Sequence, residues 1–195
     1  MRITSGELRG RPIQAPPGQD TRPTSDRTRQ AVFNILEHAA WSPGVDGARV
    51  LDLFAGSGAM GLEALSHGAA WCQFFDTAQP SLLAIRANVQ ASRLDERCSI
   101  LNRDAARLPR RPDTDPPYDL AFLDPPYGKG LGEAALEALK AGDWMGPDAI
   151  LVLERAASEP ELAASGYEVL DQRRYGVASV LFLSPRPALL FGPDR

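Results

Sequence analysis

Asp124-Pro125-Pro126-Tyr127 stands at the end of an apolar run, Asp-Leu-Ala-Phe-Leu at 119–123. Two adjacent prolines fix the backbone and supply no N–H, so nearby carbonyls stay available as acceptors. The Asp124 side chain and the Pro125 carbonyl then form a pair of acceptors suited to an exocyclic amino group of a nucleic-acid base. Such a nitrogen is a poor nucleophile because its lone pair is delocalised into the ring. Holding its two N–H bonds favours a more tetrahedral nitrogen whose lone pair points at an electrophilic methyl group. Tyr127 is placed to stack on the base, a contact worth about 1–3 kcal/mol. Methyl transfer to nitrogen needs alignment and a preorganised field rather than a covalent intermediate. The proton leaves late, through Asp124 or water.

A second cluster lies upstream. Asp52, Phe54, Ala55, Gly56, Ser57 and Gly58 follow the apolar residues at 49–53, and Gly61 continues the glycine series. Glycines after a first parallel strand let backbone approach a ligand at the carboxyl edge of the sheet. Asp76 ends the next apolar run, 20 residues beyond Gly56, where a carboxylate can accept both ribose hydroxyls of an adenosine. Asp104, with Ala105, follows the third run and is placed at an adenine edge. The glycines and the acid also satisfy the dinucleotide fingerprint of nicotinamide enzymes, so they do not choose the cofactor alone. Asp76 and Asp104 also suit helix or turn capping.

These residues need a scaffold that brings several strand ends to one edge. Short apolar runs at 49–54, 71–75, 97–101, 119–123 and 149–153 alternate with helical stretches at 59–67, 80–93 and 131–141. That alternation predicts an α/β fold with a mostly parallel sheet covered on both faces. After residue 166 the rhythm changes: 167–174 and 177–183 flank Tyr175-Gly176 and predict an antiparallel hairpin added to the sheet. Before the first strand, Ala31, Val32, Ile35, Leu36 and Ala39 share one face of a helix at about 25–40, with Thr24 or Ser25 as its N-cap. Residues 1–15 read as a small β-hairpin. The expected organisation is an RNA-contacting extension at 1–24, a catalytic domain at 25–184 and a mobile tail at 185–195.

The chain's 195 residues, 44% of them hydrophobic, suffice for one domain with a real core. No apolar run approaches the roughly 18 residues of a membrane span, and residues 1–11 lack the apolar block of a signal peptide. Cys72 and Cys98 show neither metal-ligand nor disulfide-framework spacing, and read as buried or half-buried thiols in a reducing cytoplasm. No metal site is expected. His38 and His67 read as surface or helix-end residues, and Trp41, Trp71 and Trp144 as packing.

The net charge of −4 excludes a protein coated in basic residues, yet residues 1–30 hold six arginines against three acids. That local excess is a candidate phosphate footprint. Within it, Arg9, Arg11, Arg22, Thr24 and Arg27 are candidate RNA contacts, with Tyr127 on the base itself.

The Asp-Pro-Pro-Tyr loop after the fourth strand resembles the catalytic motif of the amino-methyltransferases, and residues 51–58 resemble their S-adenosyl-L-methionine (SAM) loop. The resemblance implies the Rossmann-like seven-stranded SAM methyltransferase fold. It narrows further. Ser5-Gly6-x-x-Arg9-Gly10-Arg11, Arg22-Pro23-Thr24-x-Asp26-Arg27-x-Arg29, Phe33-Asn34-x-Leu36, Gly61-Leu-Glu-Ala-Leu-Ser66 and Asp124-Pro-Pro-Tyr-Gly-Lys-Gly130 are similar to the bacterial 16S ribosomal RNA guanine-N2 methyltransferases. The match runs in order over roughly residues 1–183. It departs from the family where Gln30 and Ala78 stand in place of common acids, and where Asp104 stands in place of a frequent amide.

The resemblance implies a cytoplasmic, SAM-dependent enzyme acting on guanine N2 of 16S ribosomal RNA or the small subunit. The residues at 22–29 would grip RNA, and the target base would leave its stack to reach Asp124. The motif itself does not choose guanine over adenine. A DNA adenine-N6 or cytosine-N4 methyltransferase would share it, but usually carries a separate target-recognition region for which this chain has no room. A nicotinamide oxidoreductase would lack the double proline and need its own acid–base residue. A non-catalytic RNA-binding module would need neither loop.

Overall fold

Apolar runs and amphipathic stretches fold as seven strands and four helices among the residues described by this computed structural model, which are 1–17, 26–162 and 166–185. In chain order these are α1 (Asp26–His38), β1 (Arg49–Leu53), α2 (Ala59–Ser66), β2 (Trp71–Asp76), α3 (Gln79–Ser92), β3 (Cys98–Asn102), β4 (Tyr118–Leu123), α4 (Leu131–Ala141), β5 (Met145–Ala156), β6 (Tyr167–Tyr175) and β7 (Ala178–Pro185). They build one sheet in the order β3-β2-β1-β4-β5-β7-β6. The first five are parallel, and β7 runs antiparallel between β5 and β6.

Strand side chains alternate between faces, and here both faces are apolar. Val50, Phe74, Phe122, Val152 and Phe182 pack with α1 and α2 on one side. Leu51, Leu53, Phe75, Ala121, Leu123, Leu151 and Leu153 pack with α4 on the other. This two-sided burial is why the strands read as continuous apolar runs. It also fixes a parity rule: even-numbered positions of β1, β2, β4 and β5 face the α1–α2 side.

The pairing register aligns the strand ends. Leu101, Phe75, Leu53, Leu123 and Leu153 form one row across β3, β2, β1, β4 and β5. One step further stand Asn102, Asp76, Phe54, Asp124 and Glu154, which makes the carboxyl edge a single line of polar and loop positions.

Residues 1–17 depart from a regular hairpin. They contain one isolated antiparallel bridge, Arg2 with Pro12, and backbone bonds from Ile3 to Arg11, Gly10 to Ile3 and Ile13 to Met1. The segment is held instead by packing: Ile3, Leu8 and Ile13 are buried in the α1–α2 core. Gly6 (φ +76°) lies so close to α2 that a Cβ would stand 2.0 Å from the Ser66 carbonyl oxygen. The N-cap residues proposed for α1, Thr24 and Ser25, fall outside the described residues, as does most of the tail. β7 itself extends through Pro185. No helix among the described residues is long and apolar enough to cross a membrane.

Candidate active site

The loop from β1 into α2 is shaped by backbone conformation. Phe54 (φ 61°), Gly56 (φ 57°) and Gly58 (φ 78°) are all left-handed. A bulky residue at positive φ costs on the order of 1–3 kcal/mol and persists where surroundings over-determine it. The glycines divide the work. A Cβ on Gly61 would collide with the Phe74 ring at 2.3 Å and the Cys72 sulfur at 2.5 Å, so this glycine permits helix–strand packing. A Cβ on Gly56 would come no nearer than 4.0 Å to any neighbour. The open side of the loop is therefore at Gly56, next to the end of β2.

Asp76 meets the loop there. One carboxylate oxygen accepts the Gly56 N–H at 2.8 Å, and the other accepts the Ala78 N–H at 2.8 Å ahead of α3. Asp52, on β1, is buried and accepts the Gly61 N–H at 2.9 Å, which ties strand to helix. Burial pushes its carboxyl well above the usual range; the Gly61 N–H counters this, and the charges of Asp124 and Asp76 raise it again. Asp104 accepts the Ala106 N–H at 3.0 Å and caps a short turn, with Ala105 buried in the α4-side core. The capping reading holds for Asp104 alone; α3 begins after Ala78 without a side-chain cap, and Asp76 reaches only the Ala78 N–H ahead of it.

Asn88 was not singled out by sequence. Buried on α3, it donates to the carbonyls of Ser57 and Gln14, both at 2.9 Å, and accepts the Gln14 N–H at 2.9 Å. One amide thus joins the loop to the N-terminal segment.

On the other half of the edge, Asp124 follows β4 and Pro125 is buried behind it. Tyr127 is 41% exposed, which leaves a ring face available to a planar partner. Its hydroxyl donates to Oε1 of Glu154 at 2.7 Å. Burial, that bond and the nearby carboxylates of Asp124 and Glu159 push its pKa upward, so the hydroxyl remains a donor. The loop is pinned further along, where the Gly128 N–H donates to Glu159 at 3.0 Å. Burial pushes the Glu159 carboxyl up, but the Gly128 N–H and Arg155 outweigh it and hold it below its ordinary value. Glu154, like Asn88, is a residue that the sequence reading missed. In sequence it is only an acid following the run at 149–153.

The candidate RNA contacts separate. Arg9 and Arg27 are exposed, whereas Arg11 is half-buried with its guanidinium on the Ala91 carbonyl at 3.2 Å. Arg22 and Thr24 lie outside the described residues. Arg29, expected among the residues at 22–29 that grip RNA, is fully buried. It pairs with Glu63 at 2.8 Å and Asp26 at 2.9 Å, and donates to the Arg2 carbonyl. The same Glu63 carboxylate accepts the Thr4 N–H, the Thr4 hydroxyl and the Ser5 N–H at 2.9, 2.6 and 2.9 Å. Arg29 stays out of water because its partner Glu63 is itself fully buried and offsets the cost of burying the guanidinium. His67, at the end of α2, joins the cluster through the Ser5 hydroxyl and stacks on Phe33.

A parallel sheet carrying an inserted antiparallel β7, with both loops on one edge, is the Rossmann-like methyltransferase class of α/β fold. Solved structures agree: the Escherichia coli protein yhhF superposes with a TM-score of 0.80 at 27% identity, covering 95% of this chain and 98% of that one. The chain belongs to the family described as "Conserved hypothetical protein 95", whose model matches residues 1–184. Among relatives, Ribosomal RNA small subunit methyltransferase D of Escherichia coli (strain K12) is 32% identical over 79% of this chain and 74% of its own length. The protein of the same name from Haemophilus influenzae is 29% identical over 92% of this chain and 91% of its own. The resemblance carried by the N-terminal and Asp-Pro-Pro-Tyr motifs is borne out.

Proposed function

We propose that this chain is a cytoplasmic, SAM-dependent methyltransferase that modifies the exocyclic N2 of a guanine in 16S ribosomal RNA of the small subunit. The observation that carries the reading is the placement of Asp124 one step beyond the row Phe75–Leu53–Leu123. This sets the Asp-Pro-Pro-Tyr loop beside the glycine loop on one edge. The names of the relatives support ribosomal RNA as the substrate.

SAM, when bound, supplies an activated methyl group. The residues fit such a group: an open side at Gly56, an acid at Asp76 for ribose hydroxyls, and Asp104 with Ala105 for an adenine edge. Asp52, Phe54, Ala55, Ser57 and Gly58 shape the cradle. Asp124 and the Pro125 carbonyl hold the two N–H bonds of the target amino group, and Pro126 keeps that turn rigid. Tyr127 stacks on the base and fixes its plane. Asp124 or water takes the proton released at nitrogen. Arg9, Arg11, Arg22, Thr24 and Arg27 form the RNA-contacting surface. Mass mapping of 16S RNA from cells with and without the protein tests the assignment: one guanine should lose a single methyl group in its absence. An unchanged methylation map would overturn it.

A further inference from the structure

The Asp124–Tyr127 loop suits the amino group of guanine, adenine or cytosine alike, so discrimination must come from a group beside it. We propose that Glu154 selects guanine by accepting the N1–H of the target base while Asp124 holds its amino group. The inference rests on the reading of this site as a guanine-N2 methyltransferase.

Asp124 and Glu154 follow the paired residues Leu123 and Leu153 on adjacent parallel strands, whose spacing is about 4.8 Å. Both are even-numbered, so both project toward the α1–α2 side with Phe122 and Val152. There they line a shallow depression whose floor is otherwise apolar, formed mainly by Val32, Met60, Phe122, Val152 and Val180. Two carboxylates over an apolar floor match one base edge best. Guanine alone presents a ring N–H next to an amino group. Adenine and cytosine place a ring lone pair at that position, where a carboxylate would meet it with like charge density. Flipped bases are read through this Watson–Crick edge. A site built around a substrate hydrogen bond rejects an analogue lacking it far more strongly than an apolar pocket can.

Glu154 is also oriented for the task. The Tyr127 hydroxyl holds Oε1 at 2.7 Å, and this bond aims the carboxylate. Tyr127 thereby links the plane of the base, through its ring, to the position of the acceptor, through its hydroxyl.

The test uses the full-length protein and small-subunit RNA carrying guanine, 2-aminopurine or adenine at the target position. 2-Aminopurine keeps the amino group and replaces the ring N–H by a lone pair. In single-turnover assays the parent should prefer guanine over 2-aminopurine by on the order of a hundredfold or more. Glu154→Gln, whose amide can donate to that lone pair, should narrow the preference by about tenfold or more, with SAM affinity as in the parent. Tyr127→Phe keeps the ring but releases Glu154, and should narrow the same ratio by a smaller factor. Equal parental rates on guanine and 2-aminopurine, or a ratio unchanged in either variant, overturn the assignment and leave guanine-N2 methylation standing. Transfer by the parent to adenine and not to guanine would instead remove the underlying reading, and the inference with it.

Discussion

The N-terminal region and the carboxyl edge are both dense in charged and polar residues, and the protein uses them in opposite ways. Around Thr4, Ser5 and Arg29, polar groups turn inward onto Glu63, and Arg29 and Glu63 are fully buried. At the edge, Asp124 and Glu154 line a depression open to solvent, and the exposed Tyr127 bonds to Glu154 beside it. The first arrangement makes a joint and the second a working surface. Charge density in a sequence does not distinguish them. What does is whether the partner lies inside the fold.

If the joint is structural, its loss should be the largest effect in the molecule. Glu63→Ala leaves Arg29 buried beside no carboxylate of its own depth, and should cost about 3–5 kcal/mol of stability, read as a fall in denaturant midpoint. A loss within the range of ordinary surface substitutions would collapse the contrast. Next comes the working surface. Asp124→Ala should fold and bind SAM, but lose about 10²–10³ in kcat. The defect should fall on kcat more than on KM, because the interaction matters most as nitrogen rehybridises. Asp124→Asn should retain partial activity, and Tyr127→Ala should be far worse than Tyr127→Phe. Near-parental turnover by Asp124→Ala in a single-turnover assay would reduce the loop to scaffold.

Asp76→Ala sharpens the comparison, since this acid belongs to both categories: it holds the Gly56 and Ala78 N–H groups and faces the proposed ribose site. Loss of such a charge-assisted partner costs roughly 1.5–3 kcal/mol, so calorimetry should show SAM binding weakened about tenfold or more. Unchanged affinity would assign Asp76 to architecture alone. The smallest effect belongs to Arg9, Arg11 and Arg27. Changing all three to Ala should weaken RNA binding and flatten its salt dependence, with SAM affinity unaltered. A salt slope equal to the parent's would make them ordinary surface residues.

The sheet was legible in sequence because its strands are buried on both faces, which produces apolar runs that need no partner to be recognised. Helix α4 was read at its observed bounds, and most other element ends lie within a residue or two. β5 is the exception: it was expected at 149–153 and runs from Met145 to Ala156. Its extra residues include Gly146, Pro147 and Asp148, which carry no apolar signal. The Asp124 and Gly56 loops were legible because both follow strands directly. Glu154 was not, since an acid ending an apolar run looks like any strand returning to water. The Arg29–Glu63 pair was invisible for another reason. Its members are 34 residues apart on different helices, and nothing local marks either as buried.

Strand β7 has a consequence for how the protein is made. It is buried along most of its length and sits between β5 and β6, yet it is the last of the seven strands to leave the ribosome. Until residues 178–185 emerge, β5 presents Leu151, Val152 and Leu153 along an unpaired edge, the feature that templates pairing with other chains. About 30 residues separate the ends of β5 and β7, or roughly 1.5–6 s of synthesis at about 5–20 residues per second. During that interval β1–β5 are already out, and only the final strand can close the edge beside them.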